Sequence, residues 1–70
     1  MWIEINDKHN EPEFLNFEGV SRIFIQDNAI CVTLIDGVTV AFEQMTLSIA
    51  KAEYARIVAE ITAYQRKLVD

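Results

Sequence analysis

The stretch that decides the fold is residues 20–42, VSRIFIQDNAICVTLIDGVTVAF. Apolar and β-branched side chains alternate along it, which is the pattern of half-buried strands. Asp27-Asn28 interrupts the alternation and predicts a tight turn, because both residue types tolerate a positive φ. Asp36-Gly37 is typical of a two-residue type I′ hairpin turn. We therefore expect antiparallel strands over residues 20–26, 29–35 and 38–42, with the last extending no further than residue 46.

The segment before this stretch predicts one strand over residues 2–6 and a short one over residues 13–17. Residues 7–12 are polar and end in Pro12, so they are expected to form a loop. Glu18-Gly19 predicts a bend that leads into the central stretch.

From Ser48 onward the apolar period becomes helical, and neither Gly nor Pro follows Gly37. We expect a helix over residues 48–68, with Thr46 or Ser48 as its N-cap. Its C-terminal turns should overhang the sheet, because a helix of ~30 Å outreaches a short strand. The apolar stripe with i, i+3, i+4, i+7 spacing is Tyr54, Ile57, Val58, Ile61, Tyr64 and Leu68. The charged residues expected to face water are Glu53, Arg56, Glu60 and Lys67.

These elements predict an α+β fold, in which a small antiparallel β-meander of three to five strands is covered on one face by a C-terminal helix. A chain of 70 residues has room for one domain, which we place over residues 1–70. The residues expected on the covered face are Ile3, Ile5, Ile23, Ile25, Ile30, Val32, Leu34, Val38, Val40 and Phe42.

The composition excludes several classes of protein. One Cys and one His allow neither an intramolecular disulfide nor a Cys/His zinc cluster. A pI near 4.6 argues against direct binding to nucleic acid or to a membrane surface. The first residues lack the features of a secretory signal, and no apolar run approaches the ~18 residues of a membrane span, so we expect a cytoplasmic protein.

The sheet face opposite the helix is unusually apolar, with Trp2, Val20, Phe24, Cys31 and Ile35 predicted on it. An apolar content of 51% in so small a chain also predicts self-association. We therefore expect a non-enzymatic interaction module that acts as a homo-oligomer, a dimer in its simplest form. Its predicted interaction residues are Trp2, Val20, Phe24 and Ile35.

The charge distribution favours a second interpretation. Residues 1–43 contain eight acids and two bases, a net charge of −6, whereas residues 44–70 carry +1. The protein would then be a small acidic inhibitor or decoy of the kind phages encode, or a bacterial regulator, that binds a basic protein. A third hypothesis is an oligomer that captures a small ligand between subunits. The acidic residues predicted to face a partner are Glu4, Asp7, Glu11, Glu13 and Glu18.

No motif predicts chemistry. His9 lies in a polar loop, where a solvated role is the ordinary one, and Cys31 lies mid-strand, where it would behave as a small hydrophobe. Glu11 and Glu13 flank Pro12 and could form an acid/base pair, but the sequence gives them no pocket. We expect no catalytic residue, no metal ligand and no cofactor.

Four short segments carry a family resemblance: Phe14-Leu15-Asn16, Val20-Ser21-Arg22-Ile23, residues 32–37 (VTLIDG) and residues 61–67 (ITAYQRK). Over roughly residues 13–67 the chain resembles the FlbD-like family of small flagellar proteins. This resemblance implies a short hairpin sheet with a C-terminal helix, and a link to the regulation of flagellar genes. It implies no role for an individual residue.

Overall fold

The computed structural model describes residues 1–69 and has the expected α+β fold, with five strands and a C-terminal helix. Asp70, counted above among the acids, lies outside the described residues. The strands form two antiparallel sheets, one of β1 and β2 and one of β3, β4 and β5 in that order. The elements are β1 (Trp2–Asn6), β2 (Pro12–Asn16), a 3₁₀ turn (Phe17–Gly19), β3 (Val20–Gln26), β4 (Ala29–Leu34), β5 (Thr39–Glu43) and α1 (Leu47–Val69).

The 3₁₀ turn separates the two sheets, so the five strands do not form one continuous meander. Asn16 caps this turn, because its side-chain oxygen accepts a hydrogen bond from the Glu18 N–H at 3.1 Å. The Phe17 N–H donates to the Met1 carbonyl at 2.8 Å, which keeps the start of the turn beside β1. β3, β4 and β5 form the three-stranded meander that residues 20–42 predict.

The two turns of the meander differ in type. Gln26 pairs with Ala29 around a two-residue turn in which Asp27 has a φ of 56°, as expected for a tight turn. The second hairpin is the predicted one, but its type I′ assignment is wrong. That type requires a positive φ at both central residues, whereas Gly37 has a φ of 94° and Asp36 is not in the positive region.

The second hairpin instead has a three-residue loop. The Gly37 N–H donates to the Leu34 carbonyl at 2.9 Å, and the Leu34 N–H donates to the Val38 carbonyl at 2.8 Å. Glycine in the left-handed region after such a turn is typical of a three-residue hairpin loop. Val38 therefore lies opposite Leu34 and in phase with Val40 and Phe42, on the predicted side of the sheet. The prediction that the helix covers it is wrong, because at the tip of the hairpin its side chain is 53% exposed.

A second irregularity moves Val20. The register of β3 and β4 shifts between Val20 and Arg22, so that Val20 pairs with Leu34 and Arg22 pairs with Thr33. One extra residue in a strand reverses the side-chain parity on one side of it. Val20 consequently packs against the core rather than on the opposite face, as its parity with Phe24 had predicted.

The core lies between the two sheets and the helix. Its buried residues come from β1, β4, β5 and α1, and they are Ile3, Ile5, Ile30, Val32, Phe42 and Ile57. Helix α1 begins after Thr46, whose Oγ1 accepts a hydrogen bond from the Ile49 N–H at 3.1 Å, so Thr46 is the N-cap. Leu68 is exposed, in keeping with helical turns that extend past the sheet.

Three helix residues differ from their predicted environment. Val58 is 41% exposed, because it lies at the margin of the face that Ile57 buries. Glu53 and Arg56 do not simply face water, as their positions off the stripe had suggested, since both contact the edge of β1. Within residues 1–69, no helix combines the length and the apolar character that crossing a membrane requires.

Candidate interaction surface

The outer side of the β1–β2 hairpin is the most open aromatic surface of the described residues. Ile3 and Ile5 point into the core, so residues of the opposite parity on both strands point away from it. We call this surface the hairpin face and define it by five exposed residues: Trp2, Glu4, Pro12, Phe14 and Asn16.

Trp2 and Phe14 are the two aromatic residues of the hairpin face, and they are 67% and 61% exposed. Trp2 pairs with Asn16 and Glu4 pairs with Phe14, so the two aromatic residues are diagonal neighbours across the strands. Diagonal side chains lie about 7–8 Å apart at their Cα atoms, within reach of one aromatic ring from another. The hairpin therefore presents two large aromatic side chains together, with a carboxylate between them.

The helix fixes the position of this hairpin through the free edge of β1. The carboxylate of Glu53 accepts a hydrogen bond from the Asn6 N–H at 3.0 Å, and the guanidinium of Arg56 donates to the Glu4 carbonyl. Arg56 also binds Glu53 through two contacts of 2.9 Å and Glu60 through one of 2.8 Å. Side chains of α1 thus satisfy two backbone groups of the β1 edge, the Glu4 carbonyl and the Asn6 N–H.

These contacts change the acidity of both groups. The hydrogen bonds from Arg56 lower the pKa of the Glu53 carboxyl below its ordinary 4.5. Burial raises this pKa by less than these bonds lower it, and the bond from the Asn6 N–H adds a further, smaller lowering. The same pair raises the pKa of the Arg56 guanidinium above its ordinary value. The ion pair between Glu53 and Arg56 therefore lies at the contact between α1 and the β1–β2 hairpin.

Gln44 joins the other end of the hairpin to the meander. It is buried, and its side-chain amide donates to the Asn6 carbonyl at 2.6 Å and to the Phe42 carbonyl at 3.2 Å. Its backbone is held by Asn28, whose carbonyl accepts from the Gln44 N–H at 2.9 Å and whose side chain donates to the Gln44 carbonyl at 2.6 Å. One residue thus connects β1 and the end of β5 through its side chain and the turn before β4 through its backbone.

The five predicted acidic residues surround the hairpin but play different parts. Glu4 belongs to the hairpin face, and Glu11, Glu13 and Glu18 are exposed around β2. Asp7 is different, because its carboxylate accepts hydrogen bonds from the His9 and Glu11 N–H groups and shapes the loop.

Lys8 is the one Lys or Arg within residues 1–18, and it is already paired: its Nζ lies 2.7 Å from the Glu43 carboxylate. This pairing lowers the pKa of Glu43 and raises the pKa of Lys8, chiefly through the hydrogen bond between them. The charge around β2 is consequently negative.

The structure does not bring together the four predicted interaction residues. Trp2 lies on the hairpin face, and Val20 packs against the core. Phe24 lies on the outer side of the three-stranded sheet, half-buried, with the Arg22 guanidinium 4.3 Å above its ring. Ile35 lies in the loop of the second hairpin and is 74% exposed. Only Trp2 therefore belongs to an open aromatic surface.

The candidate chemical residues are likewise dispersed. His9 is exposed in the β1–β2 loop, where its backbone N–H rather than its ring is bonded to Asp7. Cys31 is a free thiol, 5% exposed, in the middle of β4. Glu11 and Glu13 are both exposed. Across residues 1–69, no three His, Cys, Asp or Glu side chains lie close enough together to hold a metal ion.

A groove of about 510 Å³ lies between the β1–β2 loop and the start of α1. Met45 and Ile49 form an apolar part of its wall, and Lys8 and Arg56 line it with their cationic groups already paired to carboxylates. Lys8 and Arg56 therefore offer no unpaired positive charge to a ligand in the groove. The hairpin face, with its exposed aromatic pair, is the better candidate for a binding surface.

Sequence reasoning missed Phe14, Gln44, Glu53 and Arg56 as structurally or functionally important residues. Phe14 could have been found, because a hairpin pairing residues 2–6 with residues 12–16 places it on the same face as Trp2. The roles of Gln44, Glu53 and Arg56 depend on contacts across 38 to 52 residues of sequence, for which the local pattern gives no signal.

Comparisons with protein-family models, with curated proteins and with solved structures give no match to this chain.

Proposed function

We propose that this protein is a non-enzymatic interaction module that binds a cationic surface of another protein through its hairpin face. The observation that carries the proposal is that Trp2 and Phe14, both more than half exposed, are diagonal neighbours on one side of a two-stranded sheet. Exposed aromatic side chains placed together are typical of binding surfaces, where they supply large apolar area at a small entropic cost.

The charge of the hairpin supports a basic partner. Glu4 lies between the two aromatic residues, Glu11, Glu13 and Glu18 are exposed nearby, and Lys8 is paired with Glu43. Carboxylates around an apolar anchor accelerate association with a cationic partner and disfavour an acidic one. Aromatic residues at the centre of such a surface commonly dominate the binding energy, at ~2 kcal/mol or more each on truncation to alanine.

The non-enzymatic part of the proposal is supported by the placement of the reactive groups. His9 and Cys31 lie in different elements, one exposed in a loop and the other buried in a strand, so they do not form a nucleophile and base pair. A cytoplasmic location belongs to the same proposal, which a free cysteine suits. A regulatory role in flagellar gene expression, which the FlbD-like resemblance implies, stays a prediction.

The test is affinity capture from a bacterial extract with immobilised wild-type protein and two double variants. Trp2→Ala/Phe14→Ala removes the aromatic pair, and Ile35→Ala/Val38→Ala removes two exposed apolar side chains at the tip of the other sheet. We expect a basic protein that elutes with salt, is lost with the first variant and is kept by the second. Retention of the same protein by Trp2→Ala/Phe14→Ala would place the binding surface elsewhere.

Self-association is the second candidate function, and it is favoured by a separate observation. Nine large apolar side chains are exposed among the described residues, including Met45, Leu47 and Ile49 in one short segment. Sedimentation at micromolar concentration distinguishes the 8.0 kDa monomer from a dimer. If a dimer forms, Phe24→Glu and Trp2→Ala/Phe14→Ala show which sheet carries the contact.

A further inference from the structure

The outer edge of β2 carries backbone hydrogen-bonding groups that the fold leaves open. Successive residues of a strand direct their N–H and C=O groups to opposite sides. In β1, the Glu4 carbonyl and the Asn6 N–H are directed away from β2 to the helix, where Arg56 and Glu53 bind them, and the Asn6 carbonyl is directed to Gln44. Ile3 and Ile5 therefore direct theirs to Leu15 and Glu13, their partners in β2.

It follows that Phe14 and Asn16 direct their N–H and C=O groups away from β1. β2 has β1 as its one neighbour in the sheet, and the backbone hydrogen bonds of turns, loops and caps within residues 1–69 use neither group of Phe14 nor the Asn16 N–H. The Asn16 carbonyl belongs to the N-cap of the 3₁₀ turn, so these three groups are the open ones. Both residues are exposed. An open edge of this kind is a template for pairing with a further strand.

The negative charge around the outer edge of β2 determines which kind of strand can pair with it. In an antiparallel pairing of two copies centred on Phe14, Glu13 of each copy would lie opposite Leu15 and diagonal to Glu13 of the other, with no unpaired Lys or Arg from residues 1–18 to offset the two carboxylates. Like charges placed next to each other across strands are destabilising. A second copy is therefore a poor occupant, and an extended basic segment is a good one.

We propose that the edge of β2 accepts an extended segment of a partner protein, which adds as a third strand to the β1–β2 sheet and alternates apolar with basic side chains. The proposal rests on the proposed function and specifies how the partner binds. Every second side chain of an added strand would lie on the hairpin face, where an apolar side chain can pack beside Phe14. The side chains between them would lie on the opposite side of the sheet, where a Lys or Arg can pair with the Glu13 carboxylate.

Pro12 limits the length of this pairing. It begins β2 and has no N–H to donate, so the added strand can receive hydrogen bonds from Phe14 and Asn16 but not from residue 12. A proline on an edge strand is a common device against open-ended self-pairing. The edge is thus suited to a short segment of partner chain rather than to a stack of copies.

The test uses two synthetic heptapeptides with blocked ends, Lys-Val-Lys-Val-Lys-Val-Lys and the same sequence with Glu for Lys. Trp2 is the only tryptophan of the chain and lies on the hairpin face, so its fluorescence reports binding directly. We expect the lysine peptide to bind, the glutamate peptide not to bind, and the affinity to fall as salt rises. Equal binding of both peptides, or of neither, would overturn the proposal.

A chain carrying an N-methyl group on the backbone nitrogen of Phe14 isolates the strand pairing. It can be made by chemical synthesis and joined at Cys31, and it keeps every side chain. We expect its unfolding midpoint to be unchanged, because this N–H has no partner in the fold, and its affinity for the lysine peptide to fall about tenfold or more.

Unchanged affinity of the N-methylated chain would overturn strand addition and leave the proposed function standing, since the aromatic side chains are intact. A charge variant tests the same proposal without synthesis. Glu13→Gln should weaken binding of the lysine peptide, whereas Asp36→Asn, which makes the same charge change in a turn of the other sheet, should not. Equal effects of the two substitutions would contradict a local role for the Glu13 carboxylate of β2.

Discussion

At the scale of single residues, Gln44 is the buried polar side chain on which three parts of the chain meet. Gln44→Met keeps its length but removes the amide that donates to the Asn6 and Phe42 carbonyls. We expect a loss of ~1–3 kcal/mol in the free energy of unfolding, measured with urea, because buried carbonyls would lose their donor. Gln65→Met, at an exposed helix position, should change it by less than ~0.5 kcal/mol. Similar values for both substitutions would contradict this role for Gln44.

Glu53 makes stability depend on pH in a predictable direction. Its pKa is lower in the folded state than the ordinary 4.5, so its contribution is complete above that value and is lost as the pH falls through the folded pKa. We expect the free energy of unfolding of the wild type to drop below about pH 4.5, and Glu53→Gln to show a smaller drop. Glu60→Gln, which removes the other carboxylate bound to Arg56, is the comparison. An identical acid profile for wild type and Glu53→Gln would rule out this contribution.

At the scale of elements, the docking of helix α1 depends on one face of it. Ile57 is fully buried and the adjacent Val58 is largely exposed, so the two positions form a matched pair on the same turn. Ile57→Ala should cost ~2–5 kcal/mol, a large part of the ~4–10 kcal/mol expected for a chain of this size. Val58→Ala should cost less than ~1 kcal/mol, because it removes little buried surface. Denaturant unfolding measures both, and a neutral Ile57→Ala would mean that the helix does not dock through this residue.

The elements also show what the sequence could predict. Alternation located β1 and β3 at their observed bounds, and the helical period placed α1 to within one residue at each end. The bulge at Ser21 and the three-residue loop of residues 35–37 were not predictable, because an extra residue in a strand or in a loop leaves the pattern of residue types unchanged. The same limit hid the site: Trp2 was identified, but Phe14 acquires its place from a pairing register that the local pattern does not specify.

At the scale of the whole molecule, the β1–β2 hairpin is a separate sheet that the fold cannot do without. It supplies Ile3 and Ile5 to the core and is held by Glu53 and Gln44. A fragment of residues 18–70 should therefore lack stable structure by circular dichroism, and addition of a peptide of residues 1–17 should restore it in a concentration-dependent way. Full native stability of the larger fragment alone would show that the second sheet and the helix form an independent core.

The alkylation rate of the buried Cys31 thiol can report how often the three-stranded sheet opens. It lies at the centre of β4 with Phe24 and Ala41 beside it on the neighbouring strands, away from the β1–β2 hairpin. Because the three-stranded sheet is not expected to stay folded without the hairpin, an alkylating reagent should reach the sulfur when the hairpin and this sheet open together. The alkylation rate divided by that of an unstructured cysteine peptide would then give the fraction of molecules in which this sheet is open at equilibrium.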